Sequence, residues 1–126
     1  MPSTINFLRL IADPTRLRVL LVLEQEELSV AELQEILGMG QSRISSHLAQ
    51  LKQAGAVVDR RAGKNVYYGL KSFSRNGARG RVQELVQTVA REIPETARDR
   101  TALKLTLRKR QDKARGYFDE LAGRFG

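Results

Sequence analysis

The chain has 126 residues, a net charge of +8, no cysteine and one histidine, which bounds it to one small domain and perhaps an added element. Without cysteine there are no disulfides, thiolate metal sites or thiol switches. A single histidine also leaves a catalytic triad or a histidine-rich metal site short of parts, so no catalytic residue, metal ligand or cofactor is assigned. No apolar run has the length of a membrane span, and no basic stretch precedes an apolar core at the N-terminus, so the cytoplasm is the expected compartment.

In chain order, Ser3 or Thr4 is expected to cap a short helix running to Asp13, with Ile5, Leu8 and Ile11 as its apolar stripe. Phe7 lies off that stripe and is expected at a partner surface. Asp13-Pro14 marks a boundary, since aspartate accepts from the free amides of a new helix and proline suits its first position. The helix Thr15–Glu24 follows. Arg16 and Arg18 interrupt its apolar pattern and are read as surface ion-pair partners, with a phosphate contact as the other reading.

Ser29-Val30-Ala31-Glu32 is a capping box. The helix it opens should end at Gly38, where a left-handed residue comes easily. Gln41–Gln53 is the next helix. Ile44, Leu48 and Leu51 recur at spacings of four and three on one face, and the other side is polar and free of acids. Val30–Gln53 therefore reads as a helix-turn-helix with Gln41–Gln53 as recognition helix. The competing reading is an ordinary amphipathic helix with a solvated face. Its candidate DNA-binding residues are Gln41, Ser42, Arg43, Ser45, Ser46 and His47, and Arg43 is the best reader of a guanine edge.

Ala56–Arg61 and Asn65–Leu70 read as two strands joined by Ala62-Gly63-Lys64, a hairpin wing. Arg60, Arg61 and Lys64 make its tip basic, for phosphate or minor-groove contact. Strand alternation puts one of Tyr67 and Tyr68 in the core and the other in solvent. Ser72–Gly80 is expected as a loop.

Arg81–Ile93 is strongly helical, with Val82, Leu85, Val86, Val89 and Ile93 as a broad stripe. The first four helices already close a winged domain, so this stripe is assigned to a second subunit beside the N-terminal helix; packing on its own domain is the other reading. Residues 1–93 form the winged DNA-binding and dimerisation domain and 94–126 a basic C-terminal helix or connector. That last helix reads as an accessory DNA contact, a swapped dimer arm, a connector or simply a solvated basic helix.

The charge follows this division. Residues 1–40 hold three arginines against six acids, whereas residues 41–75 hold seven basic residues against Asp59 alone. The positive surface therefore begins at the recognition helix, as expected of a phosphate-facing protein.

Four stretches together resemble the ArsR/SmtB family of bacterial winged helix-turn-helix repressors. They are Leu10-Ile11-Ala12-Asp13-Pro14-Thr15-Arg16-Leu17-Arg18, Leu33-Gln34-Glu35-Ile36-Leu37-Gly38, Gln41-Ser42-Arg43-Ile44-Ser45-Ser46-His47-Leu48, and the wing Arg60–Tyr68. The resemblance implies a mainly α fold with a β-hairpin wing, a homodimer built on N-terminal and C-terminal helices, and binding to a double-stranded DNA operator that is released by an effector. It also implies what kind of effector is excluded. Ser29 and Ala31 stand where metal-sensing members carry cysteines, and residues 81–93 offer only Glu84 and Glu92 where others carry a carboxylate–histidine set. Residues 109–119 resemble the connector of members fused to an S-adenosylmethionine-dependent methyltransferase. That similarity implies S-adenosylhomocysteine or S-adenosylmethionine as effector, or, alternatively, the regulatory fragment of a longer methyltransferase fusion.

Overall fold

The computed structural model describes residues 4–71 and 78–125. Ser3 and most of the Ser72–Gly80 loop lie outside the described residues. The element order is α1 (Thr4–Ile11), α2 (Pro14–Gln25), β1 (Leu28–Ser29), α3 (Val30–Leu37), α4 (Gln41–Gln53), β2 (Val57–Ala62), β3 (Asn65–Leu70), α5 (Ala78–Ala90) and α6 (Glu95–Phe125). The fold is mainly helical with a hairpin wing, a winged helix-turn-helix.

Local chemistry sets the helix ends. The Asp13 carboxylate accepts from the amides of Thr15 (2.8 Å) and Arg16 (3.1 Å), with Pro14 at the first helical position. Burial pushes this carboxyl up, but the Arg16 and Thr15 amides and the Arg16 charge outweigh burial and hold it below its ordinary value. At α3, Ser29 Oγ accepts from the Glu32 amide at 3.2 Å and Glu32 Oε1 accepts from the Ser29 amide at 3.0 Å. Gly38 ends α3 with φ +67°, a backbone that side-chain-bearing residues rarely adopt.

The sheet is antiparallel in the order β1-β3-β2. The wing pairs Val57 with Leu70 at its root and Ala62 with Asn65 at its tip, leaving Gly63-Lys64 as the turn. β1 adds Leu28 opposite Tyr68 and Ser29 opposite Tyr67. Gly69 is buried where β3 passes Glu27, and a Cβ there would lie 3.1 Å from Glu27 Cγ.

The core lies between α1–α4, the wing root and α6. Leu28, Leu33, Ile44, Leu48 and Leu51 are at most 1% exposed, and burying a leucine stabilises by roughly 1.5–3 kcal/mol. Ile44, Leu48 and Leu51 fasten the back of α4, as its spacing predicts.

Phe7 and Arg18 sit differently from what their positions in the sequence predict. Phe7 is not a partner surface: it is 4% exposed and joins the core with Ile11, one turn on, while Ile5 and Leu8 are 61% and 42% exposed. The inward stripe of α1 is therefore rotated from the predicted one. Arg18 forms an ion pair, but a buried one. Its Nε and Nη2 donate to Asp99 of α6 at 2.7 and 2.8 Å, and Nη2 also donates to the Leu37 carbonyl at 3.0 Å. No helical periodicity reveals a partner so far along the chain.

α5 begins at Ala78, three residues before expectation. Val82 and Val86 pack against the chain's own core, while Leu85 is 57% exposed, so part of its apolar face is spent on its own domain. α6 falls into two parts. Leu103 enters the core and Asp99 and Thr106 are buried, but every residue from Gln111 to Glu120 is exposed.

Candidate nucleic-acid interface

Ile44, Leu48 and Leu51 turn the opposite side of α4 outward. Of the predicted contact residues, Gln41, Ser42, Arg43 and Ser46 are exposed, whereas Ser45 and His47 are half-buried. Ala49, Gln50 and Gln53 are exposed as well and continue the row of Ser42 and Ser46 along the helix. Steps of three, four and seven residues from Ser46 lead to them along the helix. No acid occurs anywhere in α4, so nothing on this helix repels a phosphate.

One flank of α4 is bolted to the start of α2. Arg43 Nη2 donates to Thr15 Oγ1 at 3.0 Å, and Arg16 Nη1 donates to Gln50 Oε1 at 3.0 Å. Arg16 Nε in turn donates to the Leu10 carbonyl at 2.5 Å, and Asp13 lies 4.0 Å from its Nη1. His47 sits on the same flank, and its Nδ1 is buried with no hydrogen-bond partner among the described residues. Burial pulls the imidazole below its ordinary value; Asp13 opposes this, and Arg16 and Arg43 add to it.

The wing's three cations are exposed but differently placed. Arg60 is drawn back toward the root, where Nε donates to Glu27 Oε2 at 3.2 Å and the guanidinium lies 5.5 Å from the Tyr67 ring centre. Arg61 lies near Asp59, whose carboxylate is held by Lys52 of α4 at 2.9 Å. Lys64, in the turn, has no ion pair among the described residues. The strand alternation places Tyr68 against the core. Tyr67, on the other face, is covered from two sides, since Arg110 of α6 also lies 5.5 Å from its ring centre.

Arg110 links that cover to the helix-turn-helix. It pairs with Glu32 through Nη2 and, at 2.6 Å, through Nε, and Nη2 donates to the Glu27 carbonyl at 3.0 Å. Burial raises the Glu32 carboxyl, but Arg110 and the Ser29 amide hold it below its ordinary value. Ser29, standing at a position where the resemblance puts a cysteine, spends its hydroxyl on the helix cap. Among the described residues no three histidine, cysteine or acidic side chains gather as a metal site would require. No described helix is long and apolar enough to cross a membrane.

Residues 13–58, from the α2 cap to the first residues of the wing, match the bacterial regulatory protein arsR family. The Arsenic resistance transcriptional regulator ArsR1 of Pseudomonas putida is 51% identical over 61 residues, covering 48% of this chain and 48% of that protein. The chain thus spans about half the length of the curated relatives it matches. Among solved structures, the transcriptional regulator HlyU of Vibrio vulnificus is 36% identical with a TM-score of 0.54, over 66% of this chain and 79% of that one. The homodimeric winged helix-turn-helix DNA-binding domain of a possible ArsR-family regulator from Mycobacterium bovis is 34% identical with a TM-score of 0.53, over 67% and 74%.

Proposed function

Because the chain belongs to the arsR family of bacterial regulatory proteins, we propose that it acts as a dimeric, sequence-specific DNA-binding transcriptional repressor. The observation that carries this reading is the exposed, acid-free front of α4 together with the exposed basic residues of the wing. Such a helix enters a major groove while the wing follows the adjacent backbone.

Gln41, Ser42, Arg43 and Ser46 face the groove, with Ser45 and His47 at its edge. Arg43 reads a guanine once it exchanges Thr15 for the base, a contact worth about 1–3 kcal/mol of discrimination. Arg61 and Lys64 meet phosphates, and Arg60 joins them by leaving Glu27.

A second copy of the chain is the natural occupant of the groove between α1 and α5. That groove has a volume of about 470 Å³ and is lined by Leu8, Ile11, Leu17, Val82, Leu85 and Val89 among others. Two-fold pairing there sets two recognition helices one DNA turn apart, ~34 Å. A small metabolite releases the operator in this proposal, with S-adenosylhomocysteine the compound to try first, because residues 109–119 resemble a methyltransferase connector.

Competition binding on an operator and its point variants tests the proposal. Arg43→Ala should flatten the preference between sequences, and Lys64→Ala should weaken all sequences alike. Affinity should also fall steeply with salt as counterions are released. Affinity that barely changes between low and moderate salt, or equal losses on every sequence for Arg43→Ala, would contradict these roles. Melting with and without S-adenosylhomocysteine tests the effector, since a ligand of the folded state raises its stability; no shift and no operator release exclude it.

A further inference from the structure

Between α2, α5 and the start of α6 lies a cleft of about 380 Å³, a volume in the range of small-molecule sites. The buried Arg18–Asp99 pair is its floor, Leu21, Ala90 and Leu103 are apolar walls, and the exposed Arg91 and Arg100 stand at its rim. The charges lining it are unequally committed. Asp99 is matched by Arg18, while Glu24 accepts from the neutral Gln87 amide at 2.5 Å and keeps its negative charge, so the lining holds one cation in excess. Arg91 and Arg100 form no ion pair among the described residues. They flank the Ile93-Pro94 turn from either side, one after α5 and one in the first turns of α6. Two uncommitted cations above an apolar wall favour an anion, and the apolar wall favours one with a hydrophobic body over a hydrated inorganic ion.

We propose that this cleft binds a small organic carboxylate, with Arg91 and Arg100 on the carboxylate and a compact apolar body against Leu21, Ala90 and Leu103. Its lining includes no residue of α4 or the wing, so occupant and DNA do not compete directly. A route between them exists nonetheless. The Arg18 guanidinium that forms the floor also holds the Leu37 carbonyl at 3.0 Å, at the end of α3 and just ahead of the turn into α4. An occupant resting on Arg18 and Asp99 therefore acts on the group that ties α6 to the helix-turn-helix. This last step rests on the DNA-binding reading above; the binding site does not.

Isothermal titration of the full chain with phenylacetate, benzoate and hexanoate tests the site, with phenylacetamide and inorganic phosphate as comparison probes. At least one acid should bind saturably, one per chain, and the amide and phosphate should not. Arg91→Ala with Arg100→Ala should weaken that acid at least ~10-fold, the worth of a charge-assisted hydrogen bond, and each single variant should give an intermediate loss. Lys113→Ala with Arg115→Ala, which removes the same charge from the exposed end of α6, should leave binding unchanged. The proposal is overturned if none of the three acids binds, if amide or phosphate matches the acid, or if the folded Arg91/Arg100 variants bind like wild type. Titrating the same acid into an operator complex separates the two readings. Acid binding without DNA binding sinks the repressor assignment and leaves the cleft standing. DNA binding without acid binding does the reverse.

Discussion

The two halves of α6 carry similar residues and meet opposite fates. Up to Arg110 the helix is seated on α2 and α3, with Leu103 4% exposed and Asp99 2% exposed. Beyond it, Tyr117 and Phe118 are 60% and 66% exposed, their rings edge to face with centres 6.0 Å apart. Both halves mix apolar and basic side chains at helical spacing. What separates them is the placement of polar partners: Asp99 meets Arg18, Arg110 meets Glu32, and Lys109 reaches Glu35 at 2.5 Å. The seated half also puts Leu103 into the core with Ala102 and Leu107 against it, and the matched charges add to that fastening.

Breaking the seated half at its most buried charge should have the largest effect. Asp99→Ala leaves Arg18 buried and unpaired, which costs about 3–5 kcal/mol; urea unfolding followed by circular dichroism measures it. A loss under ~1 kcal/mol would mean that Arg18 finds water or another acceptor. Next comes Leu103→Ala, expected to cost roughly 2–4 kcal/mol as the core loses a filled position. Arg110→Ala should cost only about 1 kcal/mol, because its pair with Glu32 is partly open to solvent.

That third variant also carries a pH signature. Glu32 is held below its ordinary value in the folded chain, so its contribution is complete above 4.5 and is lost as pH falls through the lowered value. The stability difference between wild type and Arg110→Ala should therefore shrink on acidification below that point; a constant difference would show that Arg110 acts through Tyr67 and the Glu27 carbonyl instead. At the small end, Phe118→Ala should change stability by no more than ~0.5 kcal/mol. A larger loss at micromolar protein, disappearing on dilution, would reveal that a second copy covers the outer half.

The same contrast explains how much of the molecule can be read from its residues. The helix-turn-helix is legible because its signals are local: Asp13-Pro14, the Ser29–Glu32 box, Gly38, and the spacing of Ile44, Leu48 and Leu51. The wing is legible from two runs of strand-forming residues around Gly63-Lys64. β1 is not, since two residues carry no period, and its pairing with Tyr67 and Tyr68 depends on β3 arriving from forty residues away. Phe7 and Arg18 are misread for a related reason. Periodicity names the faces of a helix but not which neighbour each face meets, and Asp99 lies 81 residues from Arg18. On α4, the exposure of Gln41, Ser42, Arg43 and Ser46 follows from the helix alone. The inward lean of His47 depends on where α2 crosses it, and the tether of Arg60 depends on Glu27, a residue with no motif around it.

Gly69 gives that tether an unexpected dependence on empty space. Glu27 fits beside β3 because nothing projects from position 69, and a single methyl would press on the carbon that carries its carboxylate. Glu27 serves Arg60 with its side chain and Arg110 with its carbonyl. A one-carbon spacer there would make the Glu27 side chain give way by a few tenths of an ångström, and with it the carboxylate it offers Arg60, while its backbone carbonyl kept hold of Arg110.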